Sequence, residues 1–240
     1  MLGRLVLLDS DPRELARGIS FRHSLPNNGR ISVIMHRRIA AVLLTAGTVG
    51  LGTTSSFAAT ATWTVSPGSS FTAQSHESTL TDSKTGIAMS CSSSHASGAL
   101  KTGTGLTGAG IGSITALAFG NCTAGGLVNV TGIVTNGHFP WKLNAVSYKS
   151  GVTSGTITGI HAMVSGAGCS AALDGTSASA DNGEVSIMYT NSTGALKILS
   201  SGADLHIYDV SGCAGLIGNG DPTTLAGTYT LAAKQMITES

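Results

Sequence analysis

After residue 59 the chain is dominated by short runs in which apolar and polar residues alternate. Val185, Ile187 and Tyr189 share one parity, and Glu184, Ser186 and Met188 the other. Beyond Thr190-Asn191-Ser192-Thr193-Gly194, Leu196 and Ile198 resume the apolar parity on either side of Lys197. A period of two on both sides of a turn-forming stretch is the pattern of a β-hairpin. Similar runs cover Trp63 to Val65, Ile114 to Phe119, Val128 to Val134, Trp141 to Tyr148, Ile157 to Val164, Leu205 to Val210 and Thr228 to Leu231. No window after Ala59 sustains a helical period without glycine and β-branched residues. Many short strands at this spacing predict an all-β domain, a sandwich or a partly closed barrel of short antiparallel strands.

A different pattern precedes this region. Met35-His36-Arg37-Arg38 is basic, Ile39 to Ala46 is apolar, and the run fades through glycine and threonine into Ser55-Ser56-Phe57-Ala58-Ala59. Basic head, apolar middle and small residues at the end form the order of a secretion signal. Residues 35–58 are therefore expected to be a signal-peptide helix cut after Ala58; a cut after Ala59 or Ala61 meets the same requirement almost as well. A membrane anchor needs about 20 apolar residues, and Ile39 to Gly52 is shorter and rich in glycine and threonine. Residues 1–34 carry five of the chain's arginines and none occurs after Arg38. The expectation is that 1–34 is disordered upstream sequence read from a wrongly chosen start codon, and that 59–240 is the mature domain, with no integral membrane anchor after cleavage.

Removing the first 58 residues changes the charge. The whole chain has a formal net charge of +1. From Ala59 onward the bases are Lys84, Lys101, Lys142, Lys149, Lys197 and Lys234. Against them stand Glu77, Asp82, Asp174, Asp181, Glu184, Asp204, Asp209, Asp221 and Glu239, so the mature domain is slightly acidic. It has no basic stripe to neutralise phosphates, which excludes a nucleic-acid partner and disfavours binding to anionic lipid surfaces. Disorder goes with low hydrophobicity and high net charge; the mature chain has neither.

The four cysteines, Cys91, Cys122, Cys169 and Cys213, are even in number, and oxidised pairs are the default for an exported chain. Three pairings are open. An internal echo bears on the choice: Thr85-Gly86-Ile87 leading to Cys91 resembles Thr158-Gly159-Ile160 leading to Cys169, and Asn121-Cys122-Thr123-Ala124-Gly125-Gly126-Leu127 resembles Gly212-Cys213-Ala214-Gly215-Leu216. The echo suggests a duplicated unit with bridges Cys91 to Cys122 and Cys169 to Cys213. A four-cysteine zinc site is not expected without C-x-x-C spacing.

Other candidate chemistry is sparse. Gly103-Thr104-Gly105-Leu106-Thr107-Gly108 matches G-x-G-x-x-G formally, but Ala109-Gly110-Ile111-Gly112 follows where a nucleotide fold needs a helix, so a glycine-rich hairpin loop is expected. His76, His95, His138, His161 and His206 lack any H-E-x-x-H spacing, and there is no G-x-S-x-G elbow; they are expected to face solvent or polar strand neighbours. Asp174 to Glu184 and Asn219 to Pro222 concentrate oxygen donors without EF-hand order, as turns do. Asn121, Asn129 and Asn191 begin N-x-S/T sequons. No residue is assigned a catalytic, cofactor-binding or metal role, and no cofactor is expected. The candidates for ligand contact are Trp63, Trp141 and Tyr148; the last two have opposite parity along one run and should point to opposite faces.

Ala61-Thr62-Trp63-Thr64-Val65-Ser66-Pro67-Gly68, Trp141-Lys142-Leu143-Asn144-Ala145, Thr158-Gly159-Ile160-His161 and Ser211-Gly212-Cys213-Ala214-Gly215-Leu216 together resemble a group of small Gly/Ser/Thr-rich secreted proteins of actinobacteria. The resemblance implies export and a cell wall or outer envelope as surroundings, and implies no activity. The expected function is that of a secreted or envelope-associated non-enzymatic β-protein that binds or supports a cell-wall or surface partner. The alternative is a pore-forming or outer-envelope barrel, whose strands alternate apolar-out with polar-in. A secreted hydrolase built on His161 or His206 with an acid and a serine comes third.

Overall fold

The computed structural model describes residues 61–126, 128–135 and 137–240. The expected upstream segment 1–34 and signal 35–58 lie outside the described residues. The described residues form strands and turns: β1 (Thr62–Ser66), β2 (Ser69–Ser75), β3 (Ser78–Asp82), β4 (Ala88–Leu100), β5 (Gly103–Thr107), β6 (Gly112–Ala124), β7 (Val128–Val130), β8 (Gly132–Val134), β9 (Trp141–Lys149), β10 (Val152–Ile160), β11 (Ala162–Gly166), β12 (Cys169–Asp174), β13 (Gly183–Thr190), β14 (Ala195–Ile198), β15 (His206–Ser211), β16 (Thr223–Leu231) and β17 (Met236–Glu239).

Eight antiparallel strands close into a barrel in the order β3, β16, β14, β13, β10, β9, β6, β4 and back to β3. β2 and β3 are two halves of one bent strand, each paired with β4 on one side and β16 on the other. Closure rests on the long β4–β6 ladder, from Met89↔Ala124 to Leu100↔Gly112. Of the two architectures expected, the barrel is the one formed, and it is fully closed. The predicted hairpin at 184–198 is β13–β14.

The barrel is filled. Phe71, Ile114, Trp141, Leu143, Ile157, Val185, Ile187, Tyr189, Ile198, Tyr229 and Leu231 are buried in a single core, and two voids between core side chains are small, about 40 Å³ each. A closed ring of about eight strands encloses just enough room for its own side chains. The opposite parity is polar: Ser92, His95, Lys142, Lys197, Thr228 and Thr230 are exposed. That is the reverse of the apolar-out, polar-in sense of a membrane-spanning barrel.

Two further sheets cover the ends. The three-stranded sheet β17-β1-β5 brings Trp63, Val65 and Ile237 into the core at the end where β4 and β16 finish. The four-stranded sheet β15-β12-β11-β8 packs Ala162, Leu173 and Ile207 at the other end, where β4 and β16 begin. The cysteines pair as the echo suggests, Cys91 with Cys122 and Cys169 with Cys213. The first bridge joins directly opposed residues of β4 and β6; the second ties the start of β12 to the loop after β15. The two similar sequence segments thus occupy unlike settings, one in the barrel wall and one in the end sheet.

Three local expectations are corrected. Gly103 to Thr107 is not a loop but β5, an edge strand paired with β1, because backbone pairing needs no side chain. The run Ile157 to Val164 is not one strand: it breaks at His161, where the chain leaves β10 in the barrel for β11 in the end sheet. The register of β9 against β10 slips between Ser154↔Ser147 and Gly155↔Ala145, leaving Val146 unpaired. A bulge of one residue resets the alternation, so Trp141 is buried and Tyr148 packs against the same core despite their opposite parity.

Candidate functional site

Between the barrel rim and the four-stranded sheet the two layers do not close completely. A cavity of about 310 Å³ remains, walled by Leu80, Ile87 and Met89 of the rim, by Val164, Leu173 and Ile207 of the end sheet, and by the Cys169–Cys213 bridge with its loop. That volume falls at the lower end of small-molecule sites, which run from about 300 to 1,000 Å³ and are mostly apolar with a few placed polar groups. Among the described residues the one charged side chain in this wall is Asp82.

Asp82 stands at the end of β3 because it builds the turn into β4. Its Oδ1 accepts hydrogen bonds from the Lys84 and Thr85 amides at 2.8 and 3.0 Å, an Asx turn, and Gly86 completes the reversal at a φ of 74°. Asp82 is buried, and its Oδ2 receives no hydrogen bond from any donor among the described residues. That oxygen is closed off from solvent and cavity alike, and the Asp82 carboxyl lies within hydrogen-bonding reach of the Asp221 side chain. Beside it lies buried Asp221, whose Oδ1 accepts from Lys84 Nζ at 2.9 Å. That hydrogen bond, more than any other influence, holds the Asp221 carboxyl below its ordinary value of 3.8, and the same contact raises Lys84.

A second polar cluster sits where β10 leaves the barrel. Asp174, fully buried at the end of β12, accepts from the Gly175 and Asn182 amides at Oδ1, at 2.6 and 3.0 Å, and from the Asp181 amide and His161 Nδ1 at Oδ2, at 3.0 and 2.9 Å. Burial pushes its carboxyl up, but the hydrogen bonds from His161 and the three amides outweigh that and leave it below its ordinary value. The loop from Gly175 to Asn182 is thus wound around one carboxylate. His161 is itself buried and faces a polar neighbour, Asp174 at the end of β12, the second of the two settings expected of the histidines. The His138 ring stacks on it with centroids 3.7 Å apart and planes inclined by 24°, and His138 Nδ1 meets Asp181 Oδ1 at 2.8 Å.

Trp63 and Trp141 are buried in the core, and Tyr148 is half-buried with its amide donating to Glu239 Oε2. None of the three lines the cavity. His206 Nδ1 lies 3.0 Å from the Gly175 carbonyl, so His161 and His206 approach the same loop from opposite elements. No serine hydroxyl is hydrogen-bonded to either ring among the described residues. Of the sequons, Asn191 is buried with its amide bonded to both backbone groups of Ile237, whereas Asn121 and Asn129 are exposed. The cavity and the His138–His161 contact both escaped sequence reading, since each joins segments far apart in the chain. Compared with family models, with curated proteins and with solved structures, the chain matches none of them.

Proposed function

We propose that residues 59–240 form an exported, non-enzymatic binding protein that takes a small apolar molecule into the cavity between barrel rim and end sheet. The observation that carries this reading is a cavity of about 310 Å³ walled almost wholly by apolar side chains of the rim, the end sheet and the loop held by the Cys169–Cys213 bridge. The class of ligand follows from that wall: a compact apolar molecule. Both bridges, with no cysteine left free, suit an oxidising compartment. The resemblance to exported actinobacterial proteins points to the cell envelope or its surroundings as the place where such a ligand, or a surface carrying it, is met. A packed interior and a polar outer face weigh against the pore-forming alternative.

The experiment is a fluorescence titration of residues 59–240 with the apolar amine N-phenyl-1-naphthylamine, followed by displacement with straight-chain alcohols and the matching alkanes. The expected result is saturable one-to-one binding, displaced by the alkanes at least as well as by the alcohols. Ala171→Phe, which places a ring in the cavity wall, abolishes binding. Unsaturable binding, or binding untouched by Ala171→Phe in a protein that retains its circular dichroism, refutes the reading.

A further inference from the structure

His138, His161 and Asp181 come from three separated segments: the loop before β9, the junction of β10 with β11, and the loop between β12 and β13. Each offers one ligand atom, and these atoms all lie within 4.8 Å of one another. We infer that they form a binding site for a divalent transition-metal ion of the zinc class, held by two imidazoles and one carboxylate.

Three features separate this cluster from an ordinary surface network. Its donors are of the type zinc takes, imidazole nitrogen and carboxylate oxygen, at bond lengths of about 2.0–2.2 Å. Ligand atoms at such distances around a four-coordinate ion are about 3.3 Å apart, so the cluster must draw in by up to about 1.5 Å. Behind His161 stands Asp174, fully buried and held by three backbone amides, with its Oδ2 at 2.9 Å from His161 Nδ1, the nitrogen that also stands 3.4 Å from Asp181 Oδ1; with Nδ1 held by Asp174, Nε2 is the nitrogen left for an ion. A ligating histidine characteristically gives its other ring nitrogen to a carboxylate or carbonyl, which fixes the ring and raises its basicity. Finally, His138 and Asp181 line a cleft with Phe139, Lys142 and Thr158, and buried His161 lies against the His138 ring; the cleft gives an ion entry, with room for water as a further ligand, once that ring turns.

The stacked rings define what must move. Lone pairs lie in the plane of each imidazole, so two rings inclined by only 24° do not aim at one point. His161 is pinned by Asp174, whereas His138 retains 33% side-chain exposure. Binding therefore turns the His138 ring out of the stack. The site is separate from the cavity proposed above and does not depend on that reading.

The test is a titration of metal-stripped residues 59–240 with zinc chloride by calorimetry and with cobalt(II) by visible absorption. One ion per chain is expected, with cobalt bands in the visible. His138→Ala and Asp181→Asn should each weaken zinc binding by at least the roughly 100-fold that bounds the loss of an outer-shell partner. His95→Ala, at an exposed histidine in β4, should leave it unchanged. His138 is half-buried and Asp181 exposed, so both variants are expected to fold, and circular dichroism verifies it. Absence of stoichiometric binding, or equal affinity in folded His138→Ala and the parent, overturns the site.

Discussion

Asp174→Ala is the substitution that most directly tests how the end sheet is held. Four donors converge on this carboxylate: the amides of Gly175, Asp181 and Asn182, and His161 Nδ1. Asp181 and Asn182 are exposed, so their amides regain water when the acceptor is lost. Gly175 and His161 are buried and do not. Hydrogen bonds to a charged acceptor contribute about 1.5–3 kcal/mol each, so the two that water cannot replace set a loss of about 3–5 kcal/mol, the range for removing one member of a buried pair. Asp174→Asn keeps an acceptor but turns an NH₂ toward one set of donors, and should fall between the two. The assay is urea unfolding in EDTA, followed by the fluorescence of Trp63 and Trp141, both buried and the only tryptophans in the chain. Hydrogen exchange should show the amides of residues 181 and 182 losing protection first. A loss of under about 1 kcal/mol for Asp174→Ala, less than one such hydrogen bond is worth, would refute the view that this carboxylate organises the loop.

Other consequences can be measured on the same protein. Gly155 faces the bulge in β9, where an added Cβ would run into the Asn144 carbonyl oxygen; Gly155→Ala should cost about 3 kcal/mol, as overpacking does. Gly86→Ala, which has open space but a φ of 74°, should cost only about 1 kcal/mol of backbone strain, and thermal unfolding separates the two. Because Asp221 is depressed, its contribution is present above the ordinary carboxylate value of 3.8 and is lost as pH falls through the lower folded value. Lys84 is raised, so its contribution is present below 10.5 and fades above it. Unfolding midpoints of the parent should therefore drop below pH 4 and above pH 10.5 more steeply than those of Asp221→Asn. Replacing Cys169 and Cys213 together by serine opens a loop of 44 residues and should lower stability by about 4 kcal/mol in the chain-entropy view, as read by denaturant midpoint.

What could be read from the chain beforehand follows from where apolar residues carry the signal. β9, β13, β14 and β16 announce themselves through Trp141, Leu143, Val185, Ile187, Leu196 and Tyr229, whose alternation is the barrel's inner face. β4 does not: Ala-Met-Ser-Cys-Ser-Ser-Ser-His-Ala-Ser-Gly-Ala-Leu has little apolar contrast, yet it is among the longest strands and closes the barrel, because its partners supply the bulk and Gly98 lets Phe71 and the Ser113 carbonyl approach. The disulfide pairing was legible through the internal echo. The candidate sites were not. His138 and His161 are separated in sequence by β9 and β10, and the cavity wall gathers residues of β3, β4, β11, β12 and β15 that no local pattern links.

The seam of the barrel also dictates an order of events. β3 pairs with β16, Leu80 opposite Leu225, and β1 with β17, Trp63 opposite Glu239. These ladders join the first and last strands described, so a chain delivered from its N-terminus holds an open, unpaired sheet until residues 223–239 arrive. Pairings this distant are slow to form. The hairpins β9–β10 and β13–β14 are local and available early, whereas the cavity, which needs β3, β4 and the sheet containing β15, exists only after the ring has shut. The binding proposed for it is thereby tied to completion of the fold: a chain cut short before β16 would keep its hairpins and have no pocket at all.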